Sequence, residues 1–322
     1  MSESVQAASA APLMAELQSP VLVSGGCVIA HVTQVSELNS PWPIDPTVRL
    51  GPERTRRLDP LSQFSLLAVE LARHHAGLDR PEPGQRHADE GVSVGTAFGA
   101  TTTSVRYARR LVKAGPAGTN PIDFPDSIDG APAAHISLDI SLCGPSLTFT
   151  DGPASSASAL LFAARTVASG RANRMHVVIG DVLDPVFLEA LAAGLSPVNY
   201  IAQAVCALVV ERRGLREVPA HTTELFGYSK GSRIALSEPA PEQSALVEAP
   251  FSPTPICDPS GVLDLAGAWL GAVGPMGNLV GSWQHEPGRM QLFPNGSQGY
   301  YAGSGANACL LFANPHRPSG NA

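Results

Sequence analysis

Charged residues and cysteine are sparse in this chain of 322 residues, and each shortage excludes something. Charged residues make up only 15% of the chain, with a net charge of −7. The Lys and Arg residues are scattered, so no polyanion-binding surface forms and nucleic acid is not expected as a partner. The five cysteines, Cys27, Cys143, Cys206, Cys257 and Cys309, are odd in number and show no CxxC or CxH spacing. That argues against a disulfide framework or a zinc site and leaves most of them, which sit in apolar runs, as small core residues. Neither a metal nor a cofactor is expected. The first twenty residues contain no Lys or Arg and no apolar run, so they do not read as a secretory signal. No stretch is apolar for long enough to span a membrane. The expectation is a cytoplasmic protein with no membrane association and a disordered tail over residues 1–19.

What is present is enough apolar sequence, 44% of the chain, for one large domain or two medium ones. A first strand is expected at 20–30, a helix at 62–75 ending before Gly77, a strand at 91–98 and a helix at 102–112. A short helix at 133–142 precedes the stretch 144-GPSLTFTDGPASSASALLFAARTVASG-170, which reads as strand, tight turn and small-residue helix. A strand at 175–181, a helix at 186–193 and long apolar strands at 201–211 and 220–229 follow. A second small-residue helix is expected at 261–273 and a last strand at 305–314. Alternating strands and helices mean α/β. The two small-residue helices suggest a duplication, with halves at 20–197 and 198–322.

Other motifs yield little. GYSKGS at 227–232 lacks phosphate-loop spacing, and GSGANA at 303–308 lacks the third Gly of a dinucleotide fingerprint. His74 and His75 are adjacent and cannot share a helix face. His135 lies among apolar helix positions and reads as a hydrogen-bonded core histidine. Arg106, Arg109, Arg110 and Lys113 have helical spacing, which fits a solvated face or a dock for an acidic partner.

The motifs in order resemble the β-ketoacyl-acyl carrier protein synthases. PVLVSGGCVIA at 20–30 is similar to their opening strand, and RRLDPLSQFSLLAVELARHHAGLD at 56–79 to their Arg-Met-Asp-Arg-x-Ser-x-x-Ala helix. GVSVGTAFGA at 91–100 resembles the next strand, and the stretch from Phe98 to Ser156 lies on the family without a gap. The resemblance implies a thiolase-like fold, a duplicated α-β-α-β-α layering with two central buried helices. It also implies a chemistry. In the family a Cys opening the central helix takes the acyl chain, and two His assist decarboxylation of malonyl-carrier protein.

Here the Cys position falls on Pro153, which has no nucleophile but suits the first turn of a helix. No His occurs from Thr222 to Gln284, and Val262 stands at the second family His. Gly303 replaces the gating Phe, while Asn307 remains. The resemblance therefore implies a catalytically inactive member, similar to the chain-length factors of type II polyketide synthases. Such a subunit is expected to pair with an active ketosynthase, meet acyl carrier protein through the complex, and cap the partner's acyl tunnel. By resemblance, Phe98, Thr101, Ser104, Tyr107, Phe124 and Ile128 are the tunnel residues, and Leu147 and Phe149 lie at the dimer interface. Two departures from the chain-length factors stand out. Those proteins carry Gln at the lost Cys, and the loops here around 194–200 and 236–260 are short. Two alternatives stay open: an acyltransferase using Ser155 or Ser156 with His135, His221 or His285 as base, and a purely architectural pseudoenzyme.

Overall fold

The structure, a computed structural model, describes residues 15–82, 84–152, 155–194, 200–219, 222–232, 268–269, 292–296 and 306–313. In chain order the strands are β1 (Ala15–Gln34), β2 (Glu90–Gly95), β3 (Ser146–Phe149), β4 (Arg174–Asp181), β5 (Tyr200–Arg212), β6 (Thr223–Ser232), β7 (Ala268–Trp269), β8 (Leu292–Gly296) and β9 (Ala306–Ala313). The helices are α1 (Pro46–Leu50), α2 (Pro52–Thr55), α3 (Pro60–His75), α4 (Thr101–Ala114), α5 (Ala131–Asp139), α6 (Ser155–Ala168) and α7 (Pro185–Gly194).

The described strands join one mixed sheet in the order β3-β2-β4-β5-β1-β6-β9-β8, with β7 beside β5. β2 runs parallel to β3 and β4; the pairings of β5 with β4 and β1 are antiparallel. Helices cover both faces, so the central strands are apolar on both sides. Along β5, Ala204, Cys206, Leu208 and Val210 pack with α6, while Val205, Ala207 and Val209 pack with α3. Small residues on α6 (Ala159, Ala163, Ala164) let that helix lie close to the sheet. A register shift between Val23 and Gly25 switches the alternation of β1. Before it Val21 and Val23 face α6; after it Val28 does, while Cys27 and Ile29 face α3. Gly25 is required there, because a Cβ would stand 2.5 Å from the Ala72 carbonyl oxygen of α3.

Two expectations are corrected. The tail was expected to run through residue 19, yet the chain from Ala15 onward is strand. Ala15 and Glu16 pair with Tyr228 and Gly227 of β6, and a distant strand supplies backbone partners that local composition does not reveal. Within the expected helix 261–273, the described pair Ala268–Trp269 is strand. It lies beside Tyr200 and Ile201, where β5 extends past the end of β4 at Asp181 and leaves an edge open. The rest of that segment, with Val262, lies outside the described residues. So does the second central helix of the expected layering; the described residues form three layers. β5 and β6, assigned to the second half, pair directly with β1 of the first. Elsewhere the elements fall within a few residues of expectation. GYSKGS lies inside β6.

Candidate functional site

The parallel strands β2 and β4 end beside the N-terminus of α6. β3 leads into the turn at Thr150–Gly152, and α6 begins its described span at Ser155. Pro153 lies outside the described residues. The Ser155 hydroxyl sits 2.8 Å from the Thr96 carbonyl oxygen and 2.7 Å from that of Gly152. Ser158 donates to an Asp151 carboxylate oxygen at 2.6 Å. Each of these hydroxyls is spent on an oxygen acceptor. His135 does not meet a serine either: its Nε2 lies 2.6 Å from Asp126 Oδ1. It is hydrogen-bonded as expected, but half-buried at the surface rather than in the core. His221 and His285 lie outside the described residues. Among the described residues no group of three or more His, Cys, Asp or Glu is placed to hold a metal ion.

Beyond β2 the chain turns through residues 96–100 into α4, and this turn is held by polar contacts. Asp181, the last residue of β4, accepts three hydrogen bonds on one carboxylate oxygen: Thr96 Oγ1 at 2.8 Å, Ala97 N at 2.9 Å and Phe98 N at 3.0 Å. Thr96 Oγ1 also accepts from Gly99 N. Gly99 has φ +67°, and a Cβ there would strike Asp129 at 1.8 Å. The positive φ favours glycine there, while the Asp129 carboxylate that a Cβ would meet can swing aside.

The structure sorts the expected tunnel residues into two groups. In the first, the half-buried Phe98 meets Phe187 of α7 edge to face, with ring centroids 5.1 Å apart. Thr101 is buried beside them; its hydroxyl donates to the Val182 carbonyl oxygen and accepts from Asp184 N. In the second group, Ser104 donates to the Ser127 carbonyl oxygen and Tyr107 packs on Phe124 at 5.9 Å. Phe124 is 58% exposed and Ile128 50%, so this part of the chain presents apolar surface outward. Arg106 and Arg110 pair with Asp123 and tie the same segment to α4, while Arg109 and Lys113 stay exposed. Among the described residues β3 is an edge strand of the sheet. Its Leu147 is 42% exposed, and Phe149 packs on Phe162 of α6.

Sequence reasoning missed Asp181, Asp184 and Phe187. The available signal was the acidic pair that ends the apolar run at 175–183, since a buried strand rarely ends in a buried carboxylate without backbone donors to satisfy it.

Residues 31–183 match the family model of the beta-ketoacyl synthase N-terminal domain. The fold is a ketosynthase fold. Across 92% of this ketosynthase-like chain and 99% of the other, the structure resembles the ishigamide ketosynthase/chain length factor, with a TM-score of 0.67 and 17% identity. It also resembles a chain from the structure of a type II polyketide synthase acyl-carrier protein in complex with its ketosynthase bound to the hexaketide. There the TM-score is 0.68 at 16% identity, over 92% of this chain and 99% of that one. A beta-ketoacyl synthase from Burkholderia phymatum gives 0.66 at 14% identity, over 91% and 99%. Among curated proteins, 3-oxoacyl-[acyl-carrier-protein] synthase 2 of Rhizobium meliloti (strain 1021) is 27% identical over 143 residues, 44% of this chain. That match spans about a third of the relative's length, 33%.

At the other end of the ketosynthase-like sheet lies a buried ion cluster. Glu90 opens β2 and Arg174 opens β4; they pair, and Arg174 also binds Glu211 of β5. Arg73 of α3 lies 3.3 Å from Glu90, and Arg216 binds Glu211 at 2.8 Å. His176 Nε2 lies 3.1 Å from Glu90 Oε2. Burial pushes Glu90 up, but the His176 hydrogen bond and the charges around it, Arg174 and Arg73 among them, win and hold it at about 2. Burial pushes His176 down, and the two arginines add to this. In strand terms the cluster is at the opposite end from Gly95 and Asp181, so it serves the sheet and not the site.

Proposed function

We propose that this chain is a non-catalytic ketosynthase-like subunit. It pairs with an active β-ketoacyl synthase and shapes the acyl tunnel while the partner performs decarboxylative condensation on acyl carrier protein. Pro153 at the family's nucleophile position carries this reading. Proline offers neither a thiol nor a backbone N–H. The His-free span 222–284 and Val262 at the second His position support it. For Ser155 the serine alternative is disfavoured by the carbonyl oxygens of Thr96 and Gly152 that its hydroxyl meets.

In this reading the free edge of β3 and the exposed Phe124 and Ile128 face the partner. Obligate interfaces of this kind commonly bury more than about 2,000 Å². Phe98 and its neighbours end the tunnel. Each CH₂ buried up to that end gains about 0.8 kcal/mol, and the next two-carbon unit meets steric overlap. The exposed Arg109 and Lys113 offer positive charge to an acidic carrier protein.

The test is turnover of malonyl-carrier protein by the purified chain, alone and with a ketosynthase. The expected result is no turnover alone, and none for Pro153→Cys alone, because the histidines are still missing. Condensation by the isolated chain would overturn the proposal. A complex in which tunnel substitutions leave product length unchanged would reduce the role to architecture.

A further inference from the structure

We infer that Asp181 is a positioning residue that sets product length by holding Phe98 against Phe187. This rests on the tunnel-shaping role proposed above. The motive is the concentration of contacts on one oxygen: the Thr96 hydroxyl and the amides of Ala97 and Phe98 all converge on Asp181 Oδ1. Two consecutive N–H groups bound to one acceptor fix the peptide plane from which the Phe98 ring departs.

The chain that follows Asp181 fixes the opposing ring. Val182 and Asp184 bond the Thr101 hydroxyl, and Asp184 Oδ1 accepts Val186 N at 2.9 Å at the start of α7. Phe187 is the next residue of that helix. One stretch, 181–184, thus positions both phenylalanines, one through the loop after β2 and one through α7. Asp181 itself is buried and Phe98 half-buried, so the carboxylate acts from behind the ring. The same loop touches the outward-facing segment through Gly99 and Asp129. The separation of the rings is therefore set by hydrogen-bond geometry, where packing alone would let them slide.

The experiment uses the full chain in complex with its ketosynthase, with products read by mass spectrometry. Amide hydrogen exchange is followed at residues 96–99. Asp181→Ala is expected to add products longer or shorter by two-carbon steps at normal complex yield. Exchange at Ala97 and Phe98 should rise tenfold or more. Asp181→Asn keeps an oxygen acceptor and is expected to retain the native products. Thr96→Val removes one donor to Asp181 together with the acceptor of Gly99 N, and should shift products in the direction of Asp181→Ala; if Asp181→Ala fails to assemble, Thr96→Val alone decides. Phe98→Ala separates the two levels of the claim. Native products from Asp181→Ala, or from the deciding Thr96→Val, beside altered products from Phe98→Ala overturn the role of Asp181 alone. Altered products from Asp181→Asn equal to those of Asp181→Ala overturn it as well. Native products from all variants, Phe98→Ala included, overturn the tunnel reading.

Discussion

Asp59 accepts Leu61 N on one carboxylate oxygen and Thr103 N on the other, both at 2.9 Å. A single buried side chain thereby caps α3 and anchors the first turn of α4. The helix carrying Thr101, Ser104 and Tyr107 is held to the helix that packs on the sheet. Asp59→Ala removes a cap and leaves a buried N–H unpaired. A loss of about 2–3 kcal/mol is expected, read as a lower urea midpoint. A midpoint within error of the native protein would show that water replaces the carboxylate.

The two buried carboxylates Asp59 and Glu90 respond to acid in opposite senses. Burial raises Asp59, outweighing its donors, so protonation favours the folded state and its contribution grows as pH falls. Glu90 is held at about 2, below its ordinary 4.5, so its contribution is complete above about 4.5 and is lost as pH falls towards 2. Glu90→Gln should flatten the loss of stability across that window. At neutral pH it should cost about 3–5 kcal/mol, because Arg73 remains buried without its carboxylate partner and Arg174 keeps only Glu211.

His176 supplies a separate window. Its folded pKa lies below the ordinary 6.5, so the unfolded chain takes up a proton first and stability falls as pH drops below 6.5. Urea midpoints measured from pH 7.5 to pH 5 should show this slope, and His176→Gln should remove it. An unchanged slope in the variant would assign it to another group.

For the partner interface, Leu147→Lys places a charge on the exposed face of the edge strand β3. Affinity for the ketosynthase is expected to weaken at least about tenfold, which corresponds to about 1.4 kcal/mol. Co-purification and light scattering read the outcome. An unaffected complex would move the interface away from β3.

For the tunnel, Phe98→Ala and Phe124→Ala are expected to lengthen products by two-carbon steps, and Ser104→Phe to shorten them. Thr101→Phe is different, because the Thr101 hydroxyl is buried and bonded to Val182 and Asp184. Its expected outcome is poor yield from overpacking. Mass spectrometry of the reconstituted pair, with complex yield measured alongside, distinguishes the cases.

Much of the α/β arrangement was legible in the sequence. The apolar runs of β4 and β5 and the 56–79 motif placed their elements within a few residues, since burial on both faces demands continuous apolar sequence. α3 starts earlier than expected because Asp59 caps it and Pro60 fits its first turn. The site was less legible. Phe98 and Thr101 were singled out through resemblance, whereas Asp181 and Phe187 were not: the acidic pair ending the apolar run hinted at a buried carboxylate, but its donors lie more than eighty residues away and no local pattern names them.

The sequence by itself determined the residue identities on which the proposed role rests: Pro153 and the His-free span 222–284 need no coordinates. It also determined which strands are buried, since hydrophobic periodicity is a local property. Only the tertiary structure decided which oxygen receives the amides of Ala97 and Phe98, that Phe187 faces Phe98, and that Ala15 and Glu16 are strand against β6. Those contacts join segments far apart in the chain, and their geometry follows from sheet order and register. Neither is written in any single stretch of residues.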